Sequence, residues 1–116
     1  MRNAAKIDDN QRQIVAALRR AGCTVQSLAA IGKGCPDLLV GLCGVNLLVE
    51  VKDPAKVPSK QQLTADQVAW HDKWDGQVAI VRTLEDAGRL VMAARQQQNN
   101  PPAWQYQGDR DPTSPF

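Results

Sequence analysis

Apolar and polar positions change their period along this chain, and the changes mark its elements. From residue 7 a helical spacing runs: Ile7, Gln11, Ile14, Val15 and Leu18 share one side, with Arg12, Arg19 and Arg20 largely away from it. Asp8 or Asp9 can cap this helix, basic residues occupy its last turn, and Gly22 follows as its stop. Thr24–Ala30 alternates poorly, yet its length and Val25 suit a short strand leading into the glycine loop Gly32-Lys33-Gly34. Two apolar runs come next, Leu38–Leu42 and Leu47–Val51, flanking Cys43-Gly44. An X-Gly pair between apolar runs is a hairpin signal.

Asp53–Gln62 holds two prolines and two lysines, so it reads as an exposed loop. Thr64-Ala65-Asp66-Gln67 then fits a capping box, with Thr64 as N-cap and Gln67 at N3. The helix it opens runs to about Asp75, with Gly76 as its end and with Trp70 and Trp74 as core residues. Gln77–Arg82 has the β-branched content of a buried strand. Thr83–Asp86 caps a last helix whose Leu84, Ala87, Leu90, Val91 and Ala94 form an apolar stripe. Beyond Arg95 the chain turns to Gln96–Pro102 and a polar, proline-bearing remainder. The pattern therefore predicts a lead-in over 1–6, one α/β domain over 7–94 and a flexible tail over 95–116. The expected order is α-β-β-β-α-β-α, a central mixed sheet flanked by helices.

The hairpin has a consequence for chemistry. With Cys43 and Gly44 as the two turn residues, Leu42 faces Val45 and Asp37 falls opposite Glu50. Directly opposed residues point to the same face. Lys52 lies two residues past Glu50, so alternation sends it there as well. Two carboxylates and one ammonium then meet at the strand ends. A slip of one residue would send one acid to the other face.

Composition narrows the partners. The 116 residues suffice for one domain with a real core and not for two. Fourteen basic against twelve acidic side chains give a formal charge of +2, so a nucleic-acid partner must be held by a local patch. No apolar run approaches a membrane span and no signal-peptide pattern opens the chain, which places the protein in the cytoplasm. Three cysteines without a CxxC pair read as thiols in a reducing compartment. A single histidine disfavours a structural zinc site.

Two acids at strand ends suit a hard divalent cation, Mg²⁺ or Mn²⁺, because Mg²⁺ is usually held by one or two carboxylates plus waters and phosphate oxygens. Such an ion activates water for phosphodiester hydrolysis, and a neighbouring lysine orients that water or stabilises charge on the phosphate. In the competing reading Asp37 merely follows Pro36 in a turn, and Glu50–Lys52 is a surface salt bridge worth little. Glu50, however, interrupts a run that otherwise looks buried, where an ionised group is costly unless paired.

Pro36-Asp37 followed, after 12 intervening residues, by Glu50-Val51-Lys52 resembles the PD-(D/E)XK nuclease pattern. More closely, GCPDLLVG, LLVEVKD and the later LTADQVAWHDKW with QVAIV resemble the stand-alone VRR-NUC domains of phages and bacteria. The resemblance implies a restriction-endonuclease-like core and Mg²⁺- or Mn²⁺-dependent hydrolysis of DNA. It implies Asp37, Glu50 and the Val51 carbonyl as metal ligands, Lys52 as the catalytic lysine and Gln67 as a supporting residue. It further implies a homodimer, possibly strand-exchanged, and a preference for branched DNA such as four-way junctions.

Many members of that superfamily add an acid from the first helix, where this chain offers Asp8, Asp9, Asn10 and Gln11. Gln11 shares the face of Ile14 and Leu18, while the aspartates look like caps. Either Asn10 or Gln11 replaces the acid, or the site has one carboxylate fewer. As N3 of a capping box, Gln67 could instead bond back to the Thr64 backbone and take no part in the site. Lys33, Lys56, Lys60 and Arg82 are candidate phosphate contacts because they fall in loops or strand ends near the predicted site. A helix-turn-helix regulator is the competing class, provided that 25–30 is helical. A nuclease fold without activity, binding DNA only, is the other.

Overall fold

Four strands and four helices make up the computed structural model, which describes residues 8–99. The predicted lead-in over 1–6, Ile7 and the tail from 100 onward lie outside the described residues. The first helix, α1 (Asp9–Arg20), starts at Asp8, whose side chain makes no capping hydrogen bond, and buries Ile14 and Leu18. Then come β1 (Thr24–Ser27), β2 (Leu38–Leu42) and β3 (Val45–Val51). Because 24–27 pairs as a strand with β2, the helix-turn-helix reading fails at its required second helix.

The hairpin register is the expected one. Leu42 pairs with Val45 and Leu38 with Val49, so the next opposed pair outward is Asp37 and Glu50. Both turn residues have positive φ, +55° at Cys43 and +78° at Gly44, as the tight turn matching strand twist requires. Gly44 reaches that conformation freely, while Cys43 is an L residue held there by the ladders on either side.

After β3 the chain makes a short helix, α2 (Pro58–Gln61), inside the stretch expected to be loop throughout. The prolines that argued against a helix interior permit this one: Pro58 takes the first helical position, where its missing N–H is not needed. Next, α3 (Ala65–Lys73) stops two residues before the expected end and buries none of its residues. Trp74, expected in the core, is 46% exposed and stacks on Trp70 with ring centroids 4.8 Å apart. The chain returns through β4 (Val78–Val81) to α4 (Leu84–Asn99). This last helix continues five residues past the predicted boundary at 94 and leaves Leu84, expected in its apolar stripe, half exposed.

The sheet order is β1-β2-β3-β4, antiparallel except for the parallel β3–β4 pair. Strand alternation divides its two faces. Leu38, Val40, Leu42, Val45, Val49 and Val81 point to one face and join Ile14 and Leu18 of α1 with Ala87, Leu90, Val91 and Ala94 of α4 in one apolar core. Leu39, Leu48, Glu50 and Ile80 alternate to the other face, against which no helix packs broadly. β4, expected to be buried, is an edge strand whose Val81 is buried and whose other three residues are partly buried. Among the described residues no helix is long and apolar enough to cross a membrane.

Candidate active site

Glu50 is the one buried charged or polar side chain of the described core, at 2% exposure. It sits in β3 on the face opposite α1 and α4, and the groups around it come from three segments. Asp37, from the start of β2, anchors its Oδ2 on the backbone N–H of Val51 at 2.8 Å. Lys52, 11% exposed, lies with its Nζ 3.9 Å from Glu50 Oε2. Its closest partner is the amide oxygen of Gln67, to which it donates at 2.8 Å. The Gln67 Nε2 in turn donates to Glu50 Oε2 at 3.1 Å. The other Glu50 oxygen, Oε1, is buried without a hydrogen-bond partner.

Gln67 both caps α3 and reaches the site. Its Oε1 accepts from the Thr64 N–H at 2.9 Å, and its own N–H donates to Thr64 Oγ1 at 3.2 Å, which completes the capping box. The same amide oxygen receives Lys52, and the amide nitrogen reaches Glu50. Capping therefore aims the side chain at the site. The N-terminus of α3 is seated by the glycine loop, where Gly34 has φ +83° and a Cβ would meet the Asp66 carbonyl oxygen at 2.3 Å. Only glycine lets the two backbones approach so closely.

Electrostatics single out the acid pair. Burial pushes the Glu50 carboxyl up to about 8, and the neighbouring Asp37 carboxyl adds to the rise. Lys52 opposes this but is the smallest influence, consistent with its 3.9 Å separation. Two carboxylates forced together out of water repel, and one of them retains its proton until another cation replaces it. Burial, then the Glu50 and Asp37 charges, also push the Cys35 thiol up. A thiol that stays protonated is a poor nucleophile.

These groups open onto a polar depression of about 330 Å³ whose walls include Asp37, Glu50, Val51, Lys52 and Gln67. Lys56 and Lys60 line it too, as do Gln11 and Asp8 from the start of α1. A larger hollow of about 600 Å³ between α1 and α4 is mostly apolar and carries no comparable cluster. Of the first-helix candidates, Asn10 turns elsewhere: its Nδ2 donates to the Lys52 carbonyl at 3.0 Å and the Arg82 carbonyl at 3.1 Å. It braces the ends of β3 and β4. Asp8, read as a cap, makes no cap bond and faces the depression instead. Lys33 is exposed outside this depression, at φ +56° in the glycine loop. Arg82 is spent on the Gln61 carbonyl, to which its Nη2 donates at 3.3 Å. His71 packs edge-on against Trp70 at 5.9 Å and lies outside the walls.

The donor set is one of hard oxygens: two carboxylates, one with an unpartnered oxygen, beside the Val51 segment. That composition fits Mg²⁺ or Mn²⁺, which need few protein ligands when waters and phosphate oxygens complete the shell. Among the described residues no group of three or more His, Cys, Asp and Glu side chains is disposed to hold a metal. Comparison of the chain with protein-family models, curated proteins and solved structures gave no match.

Proposed function

We propose that this protein is a metal-dependent DNA endonuclease that hydrolyses phosphodiester bonds at the Asp37–Glu50 pair. The observation that carries the reading is the buried Glu50, with one oxygen unpartnered and the other bonded to Gln67, facing Asp37 beside Lys52. Asp37, Glu50 and the Val51 carbonyl would hold the ion, with Asp8 and Gln11 lining the same depression. A bound Mg²⁺ or Mn²⁺ supplies Lewis-acid polarisation of the phosphate and a lowered pKa for water.

The chain's own residues do the rest. The Val51 N–H fixes the Asp37 carboxylate through Oδ2. Gln67 holds Lys52 by its oxygen and Glu50 by its nitrogen, keeping the ammonium beside the acids without a tight salt bridge. Lys52 then has N–H groups left to orient the attacking water or to neutralise charge growing on a phosphate oxygen. Held before reaction, that arrangement avoids reorganisation in the transition state.

Preference for branched DNA such as four-way junctions, and assembly as a homodimer, rest on the VRR-NUC resemblance of GCPDLLVG, LLVEVKD and LTADQVAWHDKW alone. The second reading, a DNA-binding protein of this fold without hydrolysis, is favoured by one observation: among the described residues no third acid is grouped with the pair. Incubation with labelled four-way-junction and linear DNA, with and without Mg²⁺ or Mn²⁺, separates the two. Hydrolysis predicts metal-dependent products, favoured on the junction and lost in Asp37→Ala and Glu50→Ala. Binding without products under any metal leaves the second reading standing.

A further inference from the structure

Residues 53–62 leave β3 directly from the site, and hydrogen bonds among them shape one strap. Asp53 Oδ1 accepts the Ala55 N–H at 2.9 Å, and the Asp53 carbonyl accepts the Lys56 N–H at 3.1 Å. The Val57 carbonyl accepts the Lys60 N–H at 2.8 Å, which forms the single turn of α2. Gln61 folds back, its Nε2 donating to the Lys56 carbonyl at 2.6 Å. Pro54 and Pro58 restrict the same stretch further.

The strap is tied to the body of the protein at its far end. Arg82, just past β4, donates from Nη2 to the Gln61 carbonyl at 3.3 Å. Its backbone is itself held twice: its N–H donates to Asp86 Oδ2 at 2.9 Å, and its carbonyl accepts Asn10 Nδ2 at 3.1 Å. So a relay runs from Arg82 through Gln61 to the backbone of Lys56. What the relay presents is chemically simple. Lys56 and Lys60 lie in the wall of the depression that holds Asp37 and Glu50, and among the described residues neither ammonium has an ion pair.

Two unpaired ammonium groups, four residues apart in sequence on a braced backbone and lining one depression, are a device for anions spaced along a chain. We propose that Lys56 and Lys60 hold backbone phosphates flanking the one at the acid pair, and that Arg82, through Gln61, is a positioning residue that fixes the strap. The proposal rests on the nucleic-acid reading above, but it concerns binding and not hydrolysis. Arg82 touches no phosphate in this account, although its charge and place at a strand end make it look like a contact.

Salt dependence of binding measures this directly, since each lysine–phosphate contact on duplex DNA contributes about 0.9 to the slope of log affinity against log salt. Binding of the full chain to a fluorescent duplex is measured without divalent metal between 50 and 200 mM salt. The double variant Lys56→Ala/Lys60→Ala should lower the slope by about 2, which removes about tenfold of the affinity lost across that range. Arg82→Ala should lower the slope in the otherwise unaltered chain and leave it unchanged in the double variant, because a positioning residue has nothing left to position. Circular dichroism confirms that each variant is folded, and Arg82→Gln serves if Arg82→Ala is not.

A further loss of about 1 on adding Arg82→Ala to the double variant would make arginine a direct contact and overturn its positioning role. An unchanged slope in the double variant, or no salt-dependent binding by the unaltered protein, would overturn the strap. The hydrolysis reading fails separately: slopes that behave as proposed, with no product under any metal, keep the strap and remove the nuclease.

Discussion

At the scale of single residues, Glu50 explains most of what this site can do. Its carboxyl is pushed up to about 8 from an ordinary value of 4.5, by burial first and by Asp37 second. The sign follows from linkage. Between these values the metal-free folded chain keeps a proton that the unfolded chain has released. Stability therefore falls as pH rises from about 4.5 through about 8, and the deficit is complete above that. Glu50→Gln removes the titration, so its metal-free melting temperature should exceed the unaltered protein's at pH 8 and converge with it below pH 4.5. Melting curves across that range would disprove the account if the gap did not grow with pH. Asn10 is a second case. Its amide nitrogen serves two backbone carbonyls, so Asn10→Ala should cost about 1–3 kcal/mol and lower the urea midpoint without changing the m-value. Position within the first helix suggested Asn10 as a ligand; only the meeting of two strand ends beneath it reveals the brace.

Elements carry the site's precision. The register of the β2–β3 hairpin was legible because an X-Gly pair between apolar runs permits few turns, and the register alone brings Asp37 opposite Glu50. The capping box at Thr64 was legible from residue types alone, but its second use was not. That use depends on where the glycine loop seats α3, a contact between segments about thirty residues apart. Gln67→Glu tests this separation of roles. It keeps an oxygen for the cap but replaces the donor to Glu50 by a third carboxylate, so helix content should hold while cleavage falls by about 10²-fold or more. Equal cleavage by Gln67→Glu would reduce Gln67 to a cap. Gly34→Ala should act on the same geometry from the other side, because its Cβ would overlap the Asp66 carbonyl. A loss of about 1–3 kcal/mol on urea unfolding, together with lost cleavage, is expected; unchanged behaviour in both assays would show that α3 is seated some other way. A proline signals a break from sequence, yet Pro58 starts a helix; the size of Trp70 and Trp74 signals core, yet α3 lies off the packed face.

For the whole molecule the sheet separates stability from chemistry. One face joins α1 and α4 in the apolar core, and the other carries the acid pair. Sequence periodicity reported the first face well, since Ile14, Leu18, Val40, Val49 and Val91 all repeat at spacings their elements dictate. It reported the second face poorly: a half-covered sheet and a helix with no buried residue leave no apolar stripe to read. The claim at the centre is that Asp37 and Glu50 share a divalent cation whose binding relieves their repulsion. Calorimetric titration of Mn²⁺ into the full chain at pH 8, beside Glu50→Gln, tests it most directly. The account predicts binding to one class of site in the unaltered protein, accompanied by release of about half a proton per ion at this pH, and its loss in Glu50→Gln. Binding of equal strength in both proteins, or in neither, would contradict it.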